Sequence, residues 1–302
     1  MNEFNRQALE YAIQYQAALE QEYPYVLHFW NLRNAPANST YRWTHGNTIR
    51  IPTVATSGRV DSDRDIITDA RRNYNVTWRS YELNFERIWK SLIDPIDIDE
   101  TNMAATIRNI TQTFNESQKF PEMDAYLVSK CYADWLALGG VANTQAVTAA
   151  NVLSIFQQFV EEMDEGRVPP TGRVLYVTPR VSRLLREADA IDRTIELRNR
   201  ATRITTMITD IDSVRLEMVP SNLMRTLYNF TNGARPAANA GQINMFLGHN
   251  SAVATPVKYE FVNISEPTAI TDGKFVYFER SYEDVFVLQH KVDGLKFNVT
   301  AS

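Results

Sequence analysis

The chain of 302 residues holds one cysteine, Cys131, so it can form no internal disulfide and no multi-thiolate metal site. An oxidising compartment is therefore not required. Its four histidines, His28, His45, His249 and His290, are scattered, and none pairs with another at helical ligand spacing. Zinc chemistry and a histidine-based triad thus gain no support from the sequence, and each histidine reads as structural or surface. No segment has the glycines and lysine of a phosphate-binding loop, and no G-x-G-x-x-G is present. No apolar run reaches the roughly 20 residues needed to span a bilayer. The opening "MNEFNRQALEYAIQYQAALEQEY" lacks the basic start and apolar run of a signal peptide, so a soluble, cytoplasmically made protein is expected. Lysine is absent before Lys90. The formal charge of −5 argues against a dedicated nucleic-acid binder, although not against a protein that encloses nucleic acid without gripping it.

What the chain does have is 44% hydrophobic and 22% charged residues, enough for a sizeable core in one large domain or two modest ones. Residues 3–22 carry Phe4, Leu9, Ile13, Ala17 and Leu19 near one side of a helix, read either as an arm or as a first helix packed on its own domain. "NTIRIPTV" (47–54) and "NYNVTWRSYELNFERIW" (73–89) have strand character. Between them, residues 57–72 hold four Asp and four Arg. Two strands flanking a charged tip predict a long hairpin projecting from the body. An isolated two-stranded ribbon is marginal in water, so its aromatic residues need a second surface. The residues expected to meet a neighbouring subunit are Arg59, Asp61, Asp63, Arg64, Asp65, Asp69, Arg71 and Arg72 at the charged tip and Trp78, Tyr81 and Phe85 along the ribbon. The mixed charges suit a rim that sets register by charge matching.

Beyond "DPIDID" the period becomes helical. Met103, Ile107, Ile110 and Phe114 form one stripe, and Met123, Leu127, Cys131, Trp135 and Leu138 another, in a helix that begins near Pro121 and stops at Gly139-Gly140. A third helix places Val152, Ile155, Phe156, Phe159, Val160 and Met163 inward and ends at Gly166. "RVLYVTPRVSRLLREA" reads as strand then helix, with Thr178 as N-cap and Pro179 at the first helical position. Further strands are expected at "SVRLEMVP", "INMFLG" and "ATPVKYEFVNI", with 229–242 an exposed loop. The fold class is α+β.

Candidate chemistry is thin. "GHNSAV" (248–253) puts His249 near Ser251 but lacks the second glycine of a nucleophile elbow. The acids of "DPIDIDETN" lack calcium-loop spacing and read as helix caps. Cys131 reads as a small hydrophobe. No catalytic, cofactor-binding or metal residue is assigned, and no enzyme activity is expected.

The order of elements resembles the major capsid proteins of tailed bacteriophages, with the Hong Kong 97-like fold. The likeness rests on the charged hairpin, on "PEMDAYLVSKCYADW" as the long spine helix, on "RVLYVTPRVSRLLREADAI" with "SVRLEMVPSNLM" as central strands of an axial domain, and on "INMFLGHNSAVATPVKYEFVNI" and "SYEDVFVLQHKVDGLKFNV" as the exit from it. The resemblance implies an N-terminal arm (1–44), an E-loop hairpin (45–90), a peripheral domain with the spine helix (91–145), an axial domain (146–262) and a return to the peripheral domain (263–302). It implies a major head protein that assembles into pentamers and hexamers of an icosahedral shell around double-stranded DNA, within a virion assembled in host cytoplasm. The hairpin would lie over a neighbouring subunit, and loop 229–242 would approach the capsomer axis. The partners implied are further copies of the chain, a separate scaffolding protein, a portal and a decoration protein, with no membrane. Some members weld subunits through an E-loop lysine. Residues 45–89 contain none, so non-covalent contacts alone are expected here. No long helical scaffolding segment stands at the N-terminus, which implies either a separate scaffold or a processed chain. The rival readings are an encapsulin-type compartment, another phage subunit such as a tail-tube or connector protein, and a metal-dependent hydrolase using the 94–100 acids.

Overall fold

The computed structural model describes residues 25–39, 41–44, 47–59, 74–100, 107–188, 210–211 and 214–300. The expected helix at 3–22 and the hairpin tip at 60–73 lie outside these residues.

The centre is a five-stranded mixed sheet, built from β5 (Arg173–Val177), β6 (Asp210–Ile211), β7 (Val214–Met218), β10 (Gln242–His249) and β15 (Leu295–Thr300), in the order β15-β10-β5-β7-β6. β5 and β7 are parallel, and the other pairings are antiparallel. All five residues of β5 are buried, because helices cover both faces of the sheet. On one face lies α4 (Phe120–Ala137), whose Leu127, Val128, Cys131 and Trp135 pack with Val174, Tyr176, Phe246 and Phe297. On the other lie α5 (Val152–Glu165) and α6 (Pro179–Glu187), whose Phe156, Phe159, Met163, Val181 and Leu185 pack with Leu175, Val177, Met245 and Leu247. Strand alternation sorts β5 between the two cores. In β10 a register shift between Ile243 and Met245 inserts Asn244, so Ile243 and Phe246 share a face that strict alternation would deny them. The side chain of Asn244 donates instead to Asn298 (2.9 Å) and Thr300 (2.8 Å).

The two predicted helices around Phe114 are one continuous rod. α3 (Ile107–Phe114) runs into a π-helical turn, Asn115–Lys119, and then into α4. Pro121 has no N–H to give the preceding turn and would crowd it, and the widened turn accommodates this without a break. Lys119, at the end of that turn, pairs with the buried Glu279. Gly139 (φ 96°) ends α4 in the left-handed region, and a Cβ on Gly140 would fall 2.2 Å from the Trp135 ring. α5 ends at Gly166, its C-cap, as expected. Gly166 has ordinary φ, and Arg167 takes the left-handed position (φ 56°). Gly166 is needed because Asp293 passes where its Cβ would be, at 2.7 Å.

The run 73–89 is not one strand. It divides into β3 (Tyr74–Glu82) and β4 (Phe85–Ile93), which join different sheets. β4 enters a three-stranded antiparallel sheet with β13 (Phe275–Glu283) and β12 (Val257–Ser265), in the order β12-β13-β4. The boundary expected at 262/263 therefore falls inside β12. The C-terminal run also divides: 275–283 does pair beside β4, but the last strand, β15, closes the central sheet against β10.

Candidate assembly surface

β2 (Thr48–Thr56) and β3 pair without a break from Thr48↔Glu82 to Thr56↔Tyr74, and the short β1 (Arg42–Trp43) adds to β2 at its base. Nine consecutive pairs make a ribbon about 30 Å long at about 3.4 Å per residue. Its base is held firmly. Leu83 N donates to Asn47 O (2.8 Å), Ile49, Leu83 and Phe286 form a small buried cluster, and Tyr282 OH donates to Leu83 O (2.7 Å). The buried Asp284 carboxylate joins three elements at this point. It accepts Asn84 N at 2.8 Å, Tyr126 OH of α4 at 2.7 Å and its own neighbour's Val285 N at 2.7 Å.

Register divides the ribbon into two unlike faces. Ile49, Ile51, Arg79 and Tyr81 share the face turned to the body: Tyr81 lies 5.1 Å from the Phe286 ring, and Arg79 bonds Gln289. The opposite face carries Pro52, Val54, Tyr74, Val76 and Trp78, with Pro52 opposite Trp78 and Val54 opposite Val76. All of its large members are open: Val54 is 60% exposed, Tyr74 52%, Val76 39% and Trp78 47%. The Arg42 guanidinium lies over Trp78, 5.9 Å from the ring. Together the apolar residues form a contiguous exposed stripe along the ribbon.

The residues expected to meet a neighbour are thus distributed unevenly. Trp78 lies on the open stripe, and Arg59 is exposed just beyond β2. Asp61, Asp63, Arg64, Asp65, Asp69, Arg71 and Arg72 lie outside the described residues. Tyr81 is half-buried against its own chain. Phe85 is a correction. It is buried in β4, stacked on Tyr126 at 3.7 Å and edge-on to Phe230 at 5.6 Å, so its cover comes from its own chain. The intervening Leu83-Asn84 carries the chain from one sheet to the other and turns Phe85 inward. Val54, Tyr74 and Val76 were missed, although the alternation that places Trp78 outward places them with it.

A second open surface is the outer face of the β12-β13-β4 sheet. Phe85, Arg87 and Trp89 face the long helix, where Trp89 stacks on Phe114 (3.8 Å) and Arg87 pairs with Glu122 (2.5 Å). The alternate residues Ile88 and Leu92, with Tyr259 and Phe261 on β12, are open to solvent. All nine residues of β12 are exposed.

The suspected chemical segments resolve into structural duties. Asp94 Oδ1 accepts Ile96 N (3.0 Å) at the start of α2 (Pro95–Glu100), so the first of the acids that suggested a metal caps the helix, while Asp97, Asp99 and Glu100 lie within it. His249 Nε2 bonds Thr171 O (2.9 Å), and its Nδ1 lies 2.8 Å from Ser251 Oγ while accepting Ser251 N, which caps a 3-10 turn. Burial pushes that histidine's pKa down. Burial also pushes the Cys131 thiol well up, as befits a small hydrophobe. No grouping of three or more His, Cys, Asp or Glu suited to a metal occurs among the described residues. Loop 229–242 is less open than expected. Phe230 packs on Tyr126 (5.4 Å), and Phe230 O accepts Arg87 Nη1 (2.7 Å), which holds the loop over β4 and α4.

A mixed sheet between a long helix and two shorter ones, with a second antiparallel sheet leading into an extended ribbon, is the plan of tailed-phage major capsid proteins, and the chain has this fold. It aligns with a chain from the asymmetric unit of the bacteriophage PhiM1 mature capsid at TM-score 0.66 and 12% identity, covering 93% of this chain and 89% of that one. It aligns with a chain of Mycobacterium phage Che8 at TM-score 0.63 and 16% identity over 93% of both, and with one from the capsid of cyanophage P-SCSP1u at TM-score 0.61 and 14% identity over 94% and 91%. No protein-family model and no curated protein matches the sequence.

Proposed function

We propose that this chain is a major capsid protein whose copies assemble, without covalent links, into the pentamers and hexamers of an icosahedral shell around double-stranded DNA. In this reading β2 and β3 form the E-loop, the rod 107–137 is the spine helix, the β12-β13-β4 sheet belongs to the peripheral domain and the five-stranded sheet to the axial domain. The role is structural, in a virion, and further phage partners such as a scaffold and a portal belong to the same reading. The observation that carries it is the open stripe Val54–Val76–Trp78 on a ribbon whose base is rigidly held. A monomeric protein gains nothing by fixing such a stripe in water, whereas a subunit buries it against the next copy. The capsid fold supplies the independent support.

The test is electron microscopy of the purified chain, expressed alone and together with the products of neighbouring genes. Closed shells or capsomer-like rings are expected. A chain that stays monomeric at high concentration under both conditions overturns the reading.

A further inference from the structure

The ring of His249 leaves no choice about where its proton sits. Its Nε2 lies 2.9 Å from Thr171 O, and a carbonyl can only accept, so Nε2 carries the hydrogen. Its Nδ1 lies 3.2 Å from Ser251 N and 2.8 Å from Ser251 Oγ. A backbone N–H can only donate, so Nδ1 is a bare acceptor. One uncharged tautomer satisfies both sides of the ring, whereas the cation satisfies only one. Gly172 makes the fit tight: at φ 94° it turns the chain beside the ring, and a Cβ there would fall 3.3 Å from Nε2.

The surroundings also favour the uncharged ring. His249 is buried at the end of β10, directly opposite Arg173 of β5. Arg173 is closed by Asp164 of α5 (2.6 Å) and Lys296 of β15 by Glu162 of the same helix (2.9 Å), and neither acid bonds the ring. From the turn Gln289–Gly294, Lys291 brings a second cation to the ring, while Asp293 sits against Gly166 and His290 lies in the groove beside the ribbon. Burial above all, with Arg173 and Lys291 adding to it, holds the pKa of His249 below the ordinary 6.5, against the raising effect of the Thr171 carbonyl.

What Nδ1 holds is a joint. The 3-10 turn Asn250–Ala252 that it caps leads from β10 of the central sheet to the base of the ribbon. Ala252 O accepts Leu288 N (2.9 Å), and Val253 and Ala254 pair with Val287 and Phe286. Phe286 packs with Ile49 and Leu83 under the ribbon, and Gln289 accepts Arg79 from the ribbon's inner face.

We propose that His249 is a pH-operated latch: with Nδ1 bare it fastens the turn 250–252 to the end of β10, and a proton gained there from solvent releases the turn and loosens the ribbon's base. The Ser251 hydroxyl can swing round to accept the new N–H. The Ser251 backbone N–H cannot, and it loses its acceptor. The latch lies within one subunit and does not depend on the shell-subunit reading. Because the native pKa is lowered, its contribution is full above the ordinary 6.5 and is lost as pH falls through the native value. Across that window local opening should become up to about tenfold more frequent per pH unit.

The test is hydrogen exchange of the full chain, read by mass spectrometry at about pH 7.5 and about pH 5.5 and corrected for the intrinsic pH dependence of exchange. Peptides covering 250–254 and 285–289 should lose protection on the acid side, while those of α4 should keep it. His249→Asn puts a side-chain oxygen where Nδ1 stands, a favoured cap that does not titrate, so protection of the same peptides should differ little between the two pH values. Acid responses of carboxylates elsewhere are retained in that variant, so an equal loss in it overturns the latch. The wild type is also a test by itself: equal protection of 250–254 at both pH values overturns the proposal whatever the variant does.

Discussion

Asp124 shows what one residue can hold. It is buried in α4, where its Oδ2 accepts Tyr25 OH (2.6 Å) and His28 N (2.9 Å), and its Oδ1 has no hydrogen-bond partner. These contacts fasten segment 25–39 across the helix, helped by Arg33 Nη2 donating to Met123 O (2.8 Å). Burial raises the Asp124 pKa above the ordinary 3.8, against the lowering effect of its two donors. The folded chain thus binds this proton more tightly than the unfolded one. That stabilisation is complete below the ordinary carboxylate value and is lost as pH rises through the raised native one. Asp124→Asn keeps an acceptor for Tyr25 and should remove this share of the pH dependence in urea unfolding series between acid and neutral pH. Asp124→Ala leaves two buried donors unmet and should cost about 1–3 kcal/mol. Equal pH slopes for wild type and Asp124→Asn would show that the carboxyl does not titrate between the two states. None of this was legible in the sequence, because the partners of Asp124 lie about a hundred positions earlier in the chain.

At the scale of elements, the ribbon joins an open face to a buried base. Trp78 and Phe85 are seven residues apart in one run of strand-forming sequence, yet one is open and the other buried. Trp78→Ser combined with Val76→Lys should leave monomer stability within about 0.5 kcal/mol, as exposed substitutions do, while abolishing or strongly delaying assembly. Phe85→Ala should instead destabilise the monomer by about 3–5 kcal/mol, because it leaves a cavity under Tyr126 and Phe230. Thermal denaturation and light scattering on the two variants distinguish these outcomes, and a stripe variant that assembles normally would detach the ribbon from the contact. The hairpin, the apolar stripe of α4 and the strand of 173–177 could be read from periodicity and turn residues. The split at Leu83-Asn84 could not, since strand propensity continues across it and only the competing partners β2 and β13 decide where it falls.

For the whole molecule, the lack of lysine from 45 to 89 carries the clearest consequence. A ribbon without a lysine cannot supply the amine for an isopeptide weld, so particles boiled in denaturant should run as a single monomer band. A ladder of linked subunits would contradict this. In the shell-subunit reading proposed above, stability of the assembly would then come from many modest contacts, each multiplied over a closed shell. The α+β class and the order of elements were legible because they follow from local period and chain order. The domain boundaries were less so. β15 lies far along the chain from β10 and β5 but completes their sheet, and the bulge at Asn244 that reconciles its faces has no signature in residue type.

The sequence alone determined that this protein forms no disulfide within the chain and that its hairpin carries more apolar surface than two strands can hide. Those are matters of composition and period, and both act locally. The tertiary structure decided which aromatic residues are covered from within and which are left open. Burial depends on what arrives from elsewhere in the chain, and a strand's own pattern says which residues share a face but not whether that face will be met.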